Sequence, residues 1–145
     1  MIVIGSDHGA FELKKVLVAH LEAKGKQVVD CGVFDATSVD YPDVAKEVCG
    51  KVLAGNDVEF GILLCGTGIG ISIAANKIDG IRCALLNNEY CAEKAKQHNN
   101  ANVIAMGGRV LGPDLAVNIL DAFMAAEFEG GRHQNRVDKI HALEK

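Results

Sequence analysis

The chain has 145 residues, 49% of them apolar and 23% charged, with a net charge of −4. That length suits one domain over residues 1–145, and the apolar share is ample for one buried core. The acidic balance excludes the broad basic face of a nucleic-acid-binding protein, though a few arginines in one pocket still suit a small anion.

Met1-Ile2-Val3-Ile4-Gly5 carries no positive leader, and no apolar run approaches the ~20 residues of a membrane span. The five cysteines form no CxxC pair, which fits neither a disulfide framework nor a zinc knuckle and predicts reduced thiols in the cytoplasm.

Taken in order, Ile2–Ile4 reads as a strand, followed by a helix over Phe11–Lys24 with Leu13, Leu17 and Leu21 on its buried face and Gly25 as its stop. Val28-Val29 is a second strand. Pro42 opens a helix that carries Val44, Val48 and Val52 as far as Gly55. Phe60–Cys65 is apolar throughout, as a parallel strand covered on both faces should be. A glycine-rich turn and a helix near Ile71–Lys77 follow. Strands at Cys83–Leu86 and Val103–Met106 flank a helix over Glu89–Gln97, and helices near Asp114–Glu127 and Gln134–Leu143 finish the chain. The alternation predicts a Rossmann-like three-layer α/β/α sandwich around a five-stranded parallel sheet, with its site outside the carboxyl ends of the strands.

Gly66-Thr67-Gly68-Ile69-Gly70 follows a strand and opens a helix, where backbone N–H groups can cradle an anion. It matches neither the dinucleotide fingerprint nor the P-loop. A tight turn that needs small residues is the alternative. Cys65 faces this turn; a helix N-terminus just after it favours the thiolate, which could strip a carbon-bound proton while nearby donors hold an enediolate oxygen. Buried cysteines are more often inert small hydrophobes, which is the reading for Cys31, Cys49, Cys83 and Cys91. Asp7-His8 and His98-Asn99 are read at pocket-facing ends of the sheet, and His20 and His141 as surface residues. Arg132 and Arg136 stand four apart, on one face of a helix and suited to clamp a phosphate, as is Arg109 after Gly107-Gly108. Solvated surface charges are the plain alternative for the pair.

Gly5-Ser6-Asp7-His8-Gly9, Asp40-Tyr41-Pro42, Cys65 through Ser72, Ala74-Ala75-Asn76-Lys77, His98-Asn99 and Gly130 through Gln134 together resemble the type B ribose-5-phosphate isomerases, a group that also holds the galactose-6-phosphate isomerase subunits. The resemblance spans essentially the whole chain. It implies interconversion of ribose 5-phosphate and ribulose 5-phosphate with no metal or cofactor. Under it Cys65 is the base, the backbone of Gly66, Thr67, Gly68, Ile69 and Gly70 forms the enediolate hole with the Thr67 side chain beside it as a further catalytic group, and His98 is the acid that helps open the furanose ring. Asp7 and Asn99 contact sugar hydroxyls. His8, Arg109, Arg132 and Arg136 hold the phosphate or line its pocket. The resemblance further implies a homodimer, or a dimer of dimers, whose pockets draw on both chains, so that the C-terminal arginines serve a neighbour. One lineage replaces the cysteine with a glutamate six residues later; here that position is Ile71, which leaves Cys65 as the base.

A six-carbon substrate such as allose 6-phosphate is the alternative within the class. A non-catalytic nucleotide-binding module and a thiol hydrolase using Cys65 and His98 are the alternatives outside it.

Overall fold

The computed structural model describes residues 1–55 and 57–144. Its strands are β1 (Ile2–Ser6), β2 (Val28–Asp30), β3 (Phe60–Cys65), β4 (Cys83–Leu85) and β5 (Val103–Gly107). Its helices are α1 (Phe11–Ala23), α2 (Tyr41–Ala54), α3 (Ile69–Asn76), α4 (Glu89–Gln97), α5 (Pro113–Ala125) and α6 (Arg132–His141). The strands form one parallel sheet in the order β2-β1-β3-β5-β4, confirming the expected architecture.

Alternation along the central strands feeds two cores. Ile2, Ile4, Ile62, Leu64, Ile104 and Met106 pack with α1, α4 and α5. Val3, Leu63, Cys65, Val103 and Ala105 pack with α2 and α3. Each fully buried leucine or isoleucine contributes about 1.5–3 kcal/mol. Cys65 therefore belongs to the α2/α3 side. The chain leaves β1 for β2 on one side and reaches β3 on the other, so the β1/β3 carboxyl ends form a topological switch point.

Register sets the height of the site: Ser6 pairs with Leu64, and Cys65 with Gly107. β4 is an edge strand, and the Asn76 amide closes on it: Asn76 Nδ2 donates to the Cys83 carbonyl at 2.9 Å, and the Cys83 N–H donates to Asn76 Oδ1 at 2.8 Å. This side chain blunts the edge that a further strand would otherwise pair with. Among the described residues no helix is long and apolar enough to cross a membrane.

α3 begins at Ile69 rather than Ile71, because Gly68 takes a left-handed conformation (φ +80°) and starts the helix at once. α6 begins at Arg132 rather than Gln134, directly after Gly130 and Gly131, both at positive φ.

Candidate active site

Three loops meet at the carboxyl ends of β1, β3 and β5. After β1, the Asp7 carboxylate accepts the Gly9 N–H at 2.9 Å, and Asp7 itself is buried. His8 Nδ1 accepts the Val39 N–H at 3.3 Å, which places the ring proton on Nε2, free for a ligand.

After β3, the Cys65 sulfur accepts the Gly68 N–H at 3.1 Å. Thr67 is exposed, and its Oγ1 accepts the Ile69 N–H at 3.1 Å, so its hydroxyl proton is left to donate elsewhere. The amides of Gly70 and Ile71 open α3, where they have no acceptor within the helix. The turn thus offers a sulfur, a hydroxyl and main-chain donors within a few residues.

After β5, the Gly108 and Arg109 N–H groups donate to the carbonyls of Cys65 and Gly66 at 2.9 and 3.0 Å. The Arg109 side chain crosses both neighbouring loops: a β-carbon on Gly66 would stand 3.2 Å from its Nη1, and one on Gly9 3.3 Å from its Cζ. Glycine at both positions leaves room for the guanidinium. The Tyr41 ring similarly lies against Gly70, where a β-carbon would stand 2.7 Å from Cζ. Packing therefore accounts for several glycines, and the donors remain available beside them.

Cys65 and Cys49 are buried, Cys31 and Cys83 partly so, and Cys91 is exposed. Burial raises the Cys31 and Cys49 thiols to about 11, and it raises Cys83 further. These three are held as thiols, in keeping with an inert role.

His98 and Asn99 require a correction. They lie at the amino end of β5, opposite the carboxyl ends that carry Cys65. They end α4, which descends from the carboxyl end of β4 to the amino end of β5. Four residue steps of β5 separate the level of Val103 from that of Gly107, about 13 Å. Residues preceding a parallel strand sit at its amino end, and these two obey that rule.

At that end they join a second group. The His98 and His133 rings stack with centroids 4.2 Å apart and planes 8° from parallel. Glu129 Oε1 lies 3.7 Å from His98 Nε2 and 3.3 Å from His133 Nε2. Burial lowers the His133 pKa, and the positive charges of His98 and Arg132 add to that effect. α6 turns His133 and Val137 inward, and Arg132 and Arg136 stay exposed. Among the described residues, none of Arg109, Arg132 and Arg136 is within ion-pairing distance of a carboxylate. A cleft of about 750 Å³ opens beside this group, with Arg82, Asn99 and His141 in its lining. His141 is therefore part of a network and not simply a surface residue.

One protomer thus brings together Asp7, His8, Cys65 to Gly70 and Arg109, and separately His98, Asn99, Arg132 and Arg136. Sequence reasoning missed Glu129 and His133, although their i, i+4 spacing was visible. It also passed over Arg82.

A three-layer α/β protein with a thiol, amide donors and a guanidinium at its switch point belongs to the class of enzymes that handle small anionic substrates. The family model for ribose/galactose isomerases matches residues 2–140, and the chain belongs to that family. It is 49% identical to ribose-5-phosphate isomerase B of Escherichia coli, over 99% of this chain and 96% of the relative. The Clostridium thermocellum ribose-5-phosphate isomerase B structure superposes with a TM-score of 0.95 at 48% identity, covering 98% of this chain and 95% of that one. The Mycoplasma genitalium ribose-5-phosphate isomerase B, solved with bound ribulose-5-phosphate, superposes at 0.92 with 45% identity, over 97% and 93% of the two chains.

Proposed function

We propose that this protein interconverts ribose 5-phosphate and ribulose 5-phosphate in the cytoplasm, as a homodimer whose two pockets are each shared between protomers. The observation that carries the chemistry is the Cys65 sulfur beside the Gly66–Gly70 donors, with Arg109 laid across the loops. As thiolate, Cys65 takes the proton from C2 of the open aldose and returns it to C1. The electron pair moves into an enediolate, whose oxygens are held by Thr67 and the turn's amides while a hydroxyl proton passes from O2 to O1. Each good donor to such an oxyanion contributes about 3–4 kcal/mol.

His98 protonates the ring oxygen as its bond to C1 breaks and the anomeric hydroxyl releases its proton to water, Asp7 and Asn99 bind hydroxyls, and His8 and the three arginines bind phosphate. The separation of His98, Asn99, Arg132 and Arg136 from Cys65 within one chain supports the sharing of each pocket between two copies. Binding at the phosphate positions C1 and C2 against the sulfur. The M. genitalium relative's bound ketose pentose phosphate supports the choice of a five-carbon substrate.

Cys65→Ala tests the reading, with ribose 5-phosphate as substrate and allose 6-phosphate alongside. Turnover of ribose 5-phosphate is expected to vanish while ribulose 5-phosphate still binds by calorimetry. Retained turnover rejects the thiolate base, and wild-type preference for the six-carbon sugar rejects the substrate.

A further inference from the structure

We propose that Arg82 is a positioning residue for ring opening, joining the turn that carries His98 to the helix that carries Arg132 and Arg136. The proposal rests on the reading of His98 as the ring-opening acid.

Arg82 immediately precedes β4, and its main chain is fixed to the start of β5. Its N–H donates to Asn102 Oδ1 at 2.8 Å, and its carbonyl accepts the Asn102 N–H at 3.1 Å. From this anchored base the half-buried side chain reaches under the His98 turn. Nε is 3.3 Å from the Asn99 carbonyl and 3.1 Å from that of Asn100, and Nη2 donates to the Asn100 carbonyl at 2.8 Å. Asn100 holds a left-handed φ of +44°, a conformation that asparagine tolerates better than most residues. Two guanidinium donors on its carbonyl add to the main-chain bonds from Asn100 N–H to Lys96 and from Ala101 N–H to Ala95 that hold the turn.

The remaining edge of the guanidinium faces α6. Nη1 lies 2.8 Å from His141 Nε2. A guanidinium only donates, so His141 Nε2 accepts and its proton sits on Nδ1, which donates to Glu144 Oε1 at 2.7 Å. Glu144 Oε2 in turn accepts the Gly80 N–H. One cation therefore spans both walls of the His98 ring: the α4–β5 turn on one side, and on the other α6, whose His133 stacks on that ring. The same contacts tie the turn that follows His98 to the C-terminal end of α6, the helix that carries both arginines. A side chain serving only the edge strand would not need to grip both partners.

The test separates ring opening from proton transfer. Ribose 5-phosphate enters as a furanose, so its turnover needs both steps. Ribulose 5-phosphate carries its phosphate on O5 and stays open-chain, so solvent-deuterium exchange at its C1 needs only the base and the enediolate hole. Both are measured at saturating substrate on the oligomeric enzyme. R82Q is expected to lower kcat on ribose 5-phosphate about tenfold and to leave exchange within about twofold, since a misplaced group costs rate without altering the base. R82K, which can still reach one carbonyl, is expected to recover part of the loss.

His98→Ala is the control and is expected to show the same split at about 100-fold. If it shows no split, the reading of His98 fails. If His98→Ala splits the two rates while both Arg82 variants lower them together, or lower neither, the positioning role is overturned. Should R82Q not fold, R82K and His141→Phe, which severs the α6 arm alone, carry the same comparison with the same two outcomes.

Discussion

A β-carbon placed on Gly68 would stand 2.8 Å from the carbonyl carbon of Met106, and 2.7 Å from Leu85 Cδ1. The turn after β3 is pressed onto β5 at the point where Gly68 donates to the Cys65 sulfur. Gly68→Ala therefore meets two penalties, a left-handed φ and a clash with main chain that cannot swing aside. Together they are expected to cost about 3 kcal/mol, roughly 10 °C in melting temperature for a chain of this size. Isomerisation should fall further than stability explains, because the N–H that faces the sulfur moves. Thermal melts and kcat on the folded variant check both parts.

Lys14 on α1 is 2% exposed, and its ammonium is 2.8 Å from Asp30 Oδ1. It also donates to the Val33 carbonyl and lies 4.5 Å from the Phe34 ring centroid. The Gly32 carbonyl and Val33 N–H of the same loop bond to Ser6 at 2.7 and 2.9 Å, so Lys14 braces the segment next to Asp7 and His8. Lys14→Met keeps the stem and removes the charge, leaving the Val33 carbonyl without its side-chain donor and Asp30 with only the Gly32 N–H. Asp30 retains contact with water, so the loss is expected to be about 2 kcal/mol, below that of a fully buried pair. Urea unfolding measures it. KM for ribose 5-phosphate should rise as well, because the loop holds His8.

The bounds of β3 and α4 were legible because each has an unambiguous local signal. β3 is an unbroken apolar run, and the Asn88 side chain caps α4 by accepting the Cys91 N–H at 2.8 Å. The same is true of the Cys65–Gly70 turn, whose strand-to-helix context is local. The insertion of β5 between β3 and β4 was not legible, since alternation does not say which strand enters the centre. The level of His98 followed from its place before a strand, once α4 was known to descend. Arg82 was hidden because its partners are main-chain carbonyls some 18 residues on, and carbonyls carry no residue signature.

Acid should loosen α6. Burial and neighbouring positive charge lower the His133 pKa from 6.5, and the Gly80 N–H, aided by His141, lowers that of Glu144 from 4.5. Both groups take up a proton more readily when unfolded, so the unfolded chain binds more protons and stability falls as pH falls. The His133 contribution is complete above pH 6.5 and is lost below it. That of Glu144 is complete above pH 4.5 and is lost under that value. Melting temperatures from about pH 7.5 downward should decline in two stages. His133→Phe, which keeps a ring against His98, should remove the upper stage, and Glu144→Gln the lower one. An unchanged upper stage in His133→Phe would contradict the assignment.

Cys65→Ala and His98→Ala are each expected to be inactive or nearly so as homodimers, and a mixed dimer of the two discriminates a shared pocket from a private one. Suppose each pocket takes Cys65 from one protomer and His98 from its partner. One pocket of the mixed dimer then receives both alanines, and the other receives both native side chains. Differently tagged chains, co-expressed and purified through both tags, should give about half the wild-type turnover per dimer. If each chain built its own pocket, every pocket in that dimer would carry one lesion, and turnover would stay at the level of the single variants. The shared pocket proposed above predicts the first outcome, since roughly 13 Å along β5 separates the two groups within one chain.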